Sequence, residues 1–414
     1  MSYFDKRTFA PNSRSSLRAR PRAGVNSHMP QTRDEGVIIV GGGAIGLAVA
    51  WRLAGLGRTV TVVDRAEAGQ GASWAAGGML APTTEVGFEE MAQYELGMES
   101  LRRWPEFARD LETATGMSVG YDQAGTISVA YDRDSAVALR RNYDYKKSEG
   151  LAVDWLSGDE ASEVEPLLSP RLTGAVLSPG DHQVDNRLLV KALLSAARNH
   201  PGIELREGEG VRALDRDGEA PVVVLEDGTR RRAGAVILAA GAWLSQIAGL
   251  DLPTNVVRPV KGQMLSVAMS EGLALRHVIR GPEAYLVPKP DGRLVVGATS
   301  EELGFDTAVT AGGLYRLLEG AVRIVPAVEE MAWKESWAGL RPAARDHAPV
   351  LGAGAPGVYF AAGHFRGGIL LAPVTADEIA REVDAYLAGG AETSPWLAPF
   401  SPGRFQLSIP SGTQ

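Results

Sequence analysis

The chain has 414 residues, 45% hydrophobic and 22% charged, with a formal net charge of −8 and no cysteine. That length exceeds what one core holds and allows two domains; the acidic balance disfavours nucleic acid or an anionic membrane as partner. Without cysteine there are no disulfides, thiolate metal sites, cysteine nucleophile or sulfur-linked cofactor, which fits a reducing cytoplasm. No apolar run reaches the roughly 20 residues a spanning helix needs.

Residues 1–34 are rich in Arg, Ser and Pro, with Arg14, Arg18, Arg20 and Arg22 and almost no apolar periodicity. We expect this arm to be disordered. It reads as a transit peptide or as an extension ahead of Met29; a secretory signal would need an apolar core that is missing.

From Val37 to Asp64 the run VIIVGGGAIGLAVAWRLAGLGRTVTVVD reads as strand, glycine turn, helix and strand. Gly41, Gly43 and Gly46 match the G-x-G-x-x-G fingerprint. The first glycine permits the turn, the second lets backbone approach a pyrophosphate, and the third lets the helix lie close on the strands. The helix N-terminus favours an anion. Asp64, about twenty residues on, suits an adenosine ribose.

A segment of mostly very small residues follows, Gly69, Gly71, Ala72, Ser73, Ala75, Ala76, Gly77 and Gly78, with Trp74 interleaved. It lets a large planar cofactor press against backbone, with Ser73 facing phosphate or ribityl oxygens. Residues 89–115 predict a long helix broken at Pro105, residues 120–131 a strand or hairpin, and residues 135–149 a polar, solvated helix. A loop then leads into an amphipathic helix with Leu188, Leu189 and Ala192 on one side. His182 and Asp185 stand where metal ligands could, but no third ligand has a sensible spacing, and Asp185 suits a helix cap.

Strands are expected at 203–214, 222–225 and 235–240. The last runs into AAGAW, where small residues again suggest backbone passing close to a cofactor. Residues 255–269 open a β-rich region, and AYLVPKPDGRLVVGATS reads as a hairpin turning at Pro290, Asp291 and Gly292. Alternation puts Tyr285 and Val287 on one face. A helix over 310–325 follows, and SWAGLRP, residues 336–342, is expected to return the chain to the first domain. The C-terminal stretch GVYFAAGHFRGGILLAPVTADEIAREVDAYLAGG holds a strand, a glycine loop and a final helix. Pro373 is tolerated in that helix's first turn, and Ile379, Val383 and Leu387 make the buried stripe.

Six of these stretches, VGGGAIGL, ASWAAGGMLAP, YLVPK, GRLVVGAT, WAGLRP and AAGHFRGGILLAP, together resemble the flavin-dependent amino-acid and amine oxidases of the D-amino-acid oxidase superfamily. They are most similar to its glycine-oxidase branch, associated with thiamine biosynthesis. The resemblance implies an α/β fold, with a three-layer Rossmann-like FAD-binding domain and a discontinuous antiparallel-β substrate domain. The first would comprise 35–113, 180–253 and 330–392, the second 114–179 and 254–329, with 393–414 as a tail.

The resemblance also implies noncovalent FAD. Gly41, Gly43, Ala44, Ile45 and Gly46 would surround the pyrophosphate, and Asp64 with Arg65 the adenosine. Ala72, Ser73, Gly77, Gly78 and Met79 would lie against phosphates and flavin, the Val211 backbone near adenine, and Gly241 nearby. His364, Phe365, Arg366, Gly367, Gly368, Ile369 and Leu370 would wrap the isoalloxazine ring, with the final helix aimed at its pyrimidine side. Arg341 and Tyr285 would grip the substrate carboxylate, since a guanidinium matches a carboxylate in bidentate fashion. Arg366 would line the amino-acid site, and His364 would play a structural part, donating to backbone.

The implied reaction is oxidation of a small amino acid, above all glycine, with dioxygen as acceptor, by a cytoplasmic homo-oligomer with no metal. Sarcosine or D-amino-acid oxidase, a dehydrogenase, and a nucleotide-binding protein without redox turnover are the rival readings. Two features depart from the family pattern: the N-terminal arm, and Glu283 two residues before Tyr285, which puts the fine substrate preference in question.

Overall fold

A computed structural model describes residues 36–405 except 86, 88, 89 and 271. The expectations for the N-terminal arm and the last residues of the tail lie outside the described residues. The apolar run Val37–Val40 forms a strand at the centre of a six-stranded sheet. Val60–Asp64 and then Ile203–Glu207 lie on one side of it, with Ala235–Leu238, Val358–Ala362 and Val350–Ala353 on the other. All neighbours are parallel except the last pair at the edge.

Side chains of a strand alternate between faces, and here the two faces meet different layers. Val37 and Ile39 pack on one side with Leu47, Leu193 and Ile379, which come from the helices Ala44–Gly55, Asn186–Asn199 and Ala372–Leu387. Ile38 and Val40 pack on the other with Val223 and Leu225 of a three-stranded antiparallel sheet. The result is the three-layer α/β arrangement that the family resemblance implies.

The second sheet has eight strands, in the order Ala332–Ala344, Val257–Ala268, Arg293–Gly297, Tyr285–Pro288, Val278–Arg280, Thr126–Ala130, Gly174–Ser178 and Asp154–Leu156. Its pairs are antiparallel except the one joining Val278–Arg280 to Thr126–Ala130. One face buries Leu265, Leu286 and Val296 against Leu317, Ala321 and Ile324 of the helix Ala311–Ile324. The opposite face carries Met264, Val287, Val295 and Trp337, packed with Ala75 of the small-residue segment.

Three local expectations need correction. The helix Met91–Thr115 runs unbroken through Pro105. Proline removes one backbone donor, but Leu101, Trp104, Phe107, Ala108 and Leu111 of the same helix are buried in the core and hold it in place. The strand expected over 203–214 is two strands in different sheets, Ile203–Glu207 and Val211–Asp217, separated at Gly208 with φ of 77°. The SWAGLRP segment does not return the chain to the first sheet. It lies within Ala332–Ala344, paired with Val257–Ala268 along its whole length. We propose that the two sheets mark two domains and that this boundary falls after Ala344.

Candidate active site

A cavity of about 680 Å³ runs between the two sheets. At one end it is lined by the turn after Val37–Val40. Gly41 sits at φ of 110°, and a Cβ there would lie 2.4 Å from the Ala239 carbonyl oxygen. Gly43, Ala44 and Ile45 line the cavity, and the Ala44 amide donates to Ser73 Oγ at 2.9 Å. Gly46 is the one residue of the predicted set that does not line it. A Cβ on Gly46 would stand 1.9 Å from the Gly41 carbonyl oxygen, so this glycine is a packing requirement of the turn, as the third position of the fingerprint predicts.

Asp64 lines the cavity with both carboxylate oxygens already engaged. Oδ2 accepts from the Gly42 amide at 2.7 Å and Oδ1 from the Ala66 amide at 2.9 Å. Burial raises its pKa, and those two backbone donors oppose the rise. A carboxylate has about four lone-pair sites, so the ribose contact remains open to it. Beside it, Arg65 lies over the Trp243 ring at 5.2 Å, with Gly241 and Val211 in the same wall.

Ala72, Ser73, Gly77, Gly78 and Met79 form the middle of the cavity. Two side chains that the sequence reading missed hold this segment. Lys289 Nζ donates to the carbonyls of Gly77 and Val184, each at 2.8 Å. Burial lowers its pKa to about 7. Asn186 Nδ2 donates to the carbonyls of Ser73 and Trp74 at 2.9 and 2.8 Å. The loop His364 to Leu370 closes the same stretch. His364 is buried, and its Nε2 meets Thr375 Oγ1 at 3.1 Å, so its partner is a side chain and not the expected backbone carbonyl. Phe365 sits at φ of 50° and stacks on His347.

Sheet register builds the other end. Trp337, Met264, Gly297, Tyr285 and Arg280 are successive partners across five strands, on the face turned to the cavity. The Tyr285 ring lies where a Cβ on Gly297 would come within 2.5 Å, and the Arg341 guanidinium where a Cβ on Gly262 would come within 2.4 Å. Glycines in two neighbouring strands thus clear the floor under the arginine and the phenol. Arg341 Nη1 donates to the Thr299 carbonyl at 3.1 Å, and the Tyr285 hydroxyl lies 3.8 Å from Met264 Sδ. Burial raises the Tyr285 pKa, while Arg341 and Arg280 pull it back.

Arg366 lines the cavity as expected, with its side chain half exposed and Nε 3.7 Å from Glu85. Arg280 and Glu85 were not anticipated. Arg280 is paired with Glu85, and burial with the Arg366 charge lowers its pKa to about 10. The strand partnership of Arg280 with Tyr285 could have flagged it, since both end adjacent strands of the hairpin. Glu283 lines the rim, but its carboxylate faces Arg323 at 3.9 Å. His182 and Asp185 serve the fold: His182 Nδ1 meets the Tyr121 hydroxyl at 2.7 Å, and Asp185 accepts from the amides of Arg187 and Leu188.

A parallel sheet whose first turn is a glycine loop at a helix N-terminus, facing an antiparallel sheet across one long cavity, defines a dinucleotide-dependent oxidoreductase of two parts. The FAD dependent oxidoreductase (DAO) family model matches residues 36–382, and the chain belongs to that family. It is 38% identical over 371 residues to a glycine oxidase of Geobacillus kaustophilus, covering 88% of this chain and 96% of that one. It is also 38% identical over 377 residues to a bifunctional protein ThiO/ThiG of Synechocystis sp.. That match covers 89% of this chain but 54% of the relative, so the chain spans about half the length of the bifunctional protein. The crystal structure of the Geobacillus kaustophilus glycine oxidase superposes with a TM-score of 0.82 at 37% identity, covering 89% of this chain and 98% of that one.

The residues present fit FAD. The turn at Gly41 has no room for a Cβ, which keeps its backbone on the cavity wall, a helix begins at the same wall with Ala44, and the cavity runs on past the small-residue segment to Tyr285 and Arg341. The cofactor of this chain is FAD. Among the described residues no helix is long and apolar enough to cross a membrane.

Proposed function

We propose that this chain oxidises glycine, or a comparably small amino acid, to its imine with FAD. The observation that carries the reading is the convergence of Arg341 and Tyr285 over a floor of glycines at the end of the cofactor cavity. Arg341 takes the substrate carboxylate in forked fashion, and the Tyr285 hydroxyl adds one donor. These two contacts fix the α-carbon at the flavin end of the cavity, which is positioning catalysis. The middle segment, held by Lys289 and Asn186, excludes water along the cofactor. Burial lowers the His364 pKa to about 3, so the imidazole is neutral at working pH and adds no charge beside the ring.

FAD, when bound, accepts hydride from the α-carbon and passes the electrons to dioxygen, giving hydrogen peroxide. The imine then hydrolyses to glyoxylate and ammonia. The likeness to a bifunctional protein ThiO/ThiG supports a role in thiamine biosynthesis, and we propose that the chain works there as a cytoplasmic homo-oligomer.

The test is anaerobic addition of glycine to the yellow holoenzyme. Bleaching of the flavin absorbance is expected, followed by peroxide release when air is admitted. A flavin that stays oxidised with glycine but bleaches with sarcosine or a D-amino acid moves the substrate to that class. Bleaching without peroxide release makes the protein a dehydrogenase.

A further inference from the structure

Glu85 ends the short helix Pro82–Glu85 and turns its carboxylate into the substrate end of the cavity. There it pairs with Arg280 and lies 3.7 Å from Arg366 Nε. Two guanidiniums therefore share one carboxylate that belongs to the protein. The turn beneath Glu85 is fastened from below: the amides of Thr83 and Thr84 donate to the two oxygens of Asp181, each at 3.0 Å. Lys146 Nζ donates to the Thr84 carbonyl at 3.2 Å, and both Asp181 and Lys146 are buried. Glu85 is held in place by this anchor and is not a side chain free to wander.

Arg341 can neutralise the one carboxylate that every amino acid carries. Arg280 and Arg366 form a second cationic pair in the same cavity, with Arg280 directly across the strands from Tyr285. A substrate with a second carboxylate would find Arg280 already paired and Glu85 standing between it and Arg366, and would bring its charge against that carboxylate. We propose that Glu85 is a specificity-determining residue: by occupying the Arg280–Arg366 pair it confines the pocket to monocarboxylic amines, and removal of its charge opens the pocket to dicarboxylic ones such as N-carboxymethylglycine. The proposal rests on the reading of this end of the cavity as the amino-acid site.

The test uses holoenzyme and two ligands that flavin cannot oxidise at nitrogen, methoxyacetate with one carboxylate and diglycolate with two. Binding is read from the perturbation of the oxidised flavin spectrum. The parent should bind methoxyacetate more tightly than diglycolate; a parent that prefers diglycolate overturns the proposal whether or not any variant folds. In Glu85→Gln the diglycolate-to-methoxyacetate affinity ratio should rise at least tenfold. Adding Arg280→Met to that variant should remove the gain. An unchanged ratio in Glu85→Gln, or a gain that survives Arg280→Met, overturns the assignment. A protein that shows this switch but does not bleach with glycine keeps the gate and loses glycine as substrate; one that bleaches with glycine but shows no switch does the reverse.

Discussion

The two ends of the cavity are built by different means. At the cofactor end the shape comes from backbone: Gly41 turns at positive φ, Gly46 lets one carbonyl approach, and the helix that follows begins at the site itself. Those residues lie within one strand–turn–helix run. At the end we propose for the substrate the contacts are side chains from four separated stretches, Glu85, Arg280 with Tyr285, Arg341 and Arg366, brought together on one cavity. Damage to the first end should therefore appear as lost cofactor and lost stability. Damage to the second should appear as lost turnover with the flavin still bound.

The sharpest separation is expected from Arg341→Ala. A carboxylate in a dry pocket that loses its partner is left as an uncompensated charge, costing about 3–5 kcal/mol. That is roughly 10² to 10⁴ in kcat/KM at 1.4 kcal/mol per decade. Flavin content should stay at the parent level, and Arg341→Lys should recover only part of the loss because an ammonium lacks the fork. Anaerobic stopped-flow reduction at low substrate concentration reads this; parental rates in Arg341→Ala would move the anchor to Arg366.

Gly46→Ala is the converse experiment. Its Cβ would meet the Gly41 carbonyl oxygen at 1.9 Å, which is backbone and cannot swing aside. Forcing a methyl into a packed site costs about 1–3 kcal/mol. We expect a lowered urea midpoint and a weaker FAD dissociation constant, although Gly46 does not line the cavity. Unchanged FAD affinity with lowered stability would separate the packing of this helix from its cofactor role.

His364 tests whether a polar group at the junction of the two ends is held neutral. Unfolded imidazole titrates near pH 6.5, whereas burial keeps the folded group neutral down to about 3. Between those values the unfolded chain binds the extra proton, so stability is complete above pH 6.5 and falls as pH drops towards 3. At pH 5 the loss from this one group is about 2 kcal/mol, from about 1.5 pH units at 1.36 kcal/mol each. Urea unfolding at saturating FAD, at pH 7.5 and pH 5, should show a larger acid loss in the parent than in His364→Gln, which keeps a side-chain partner for Thr375. Equal losses would mean the imidazole is already charged when folded.

The same division decides what could be read from the sequence. The glycine turn, the uninterrupted apolar run Val37–Val40 and the capped helix after Asp185 depend on neighbours a few residues away, so their pattern is visible along the chain. The pairing of Ala332–Ala344 with Val257–Ala268 joins residues far apart in sequence, and the SWAGLRP segment gives no local sign of which sheet takes it. Arg341 and Tyr285 were legible through family motifs, but the glycines beneath them were not, because Gly262 and Gly297 matter only once the strands are side by side. Arg280 and Glu85 escaped for the same reason: each is an ordinary charged residue until the fold sets them against each other.

The smallest expected effect, Tyr285→Phe, asks how the substrate end divides its grip. The ring is packed with Met264 and Trp337 and lies across Gly297, so phenylalanine keeps the burial and removes one hydroxyl. If that hydroxyl is an ordinary donor, its loss costs about 0.5–1.5 kcal/mol, and a bond to the charged carboxylate raises this to about 3. The stability of the fold should change little, because the hydroxyl's hydrogen bond within the fold to the Met264 sulfur at 3.8 Å is to a weak acceptor. Most of the loss should appear in KM if the hydroxyl grips the carboxylate equally before and during hydride loss. It should appear in kcat if the bond tightens only in the transition state. Saturation curves for flavin reduction in the parent and Tyr285→Phe separate the two. Parental kinetics in Tyr285→Phe would leave Arg341 as the sole anchor and make the tyrosine a wall of the pocket.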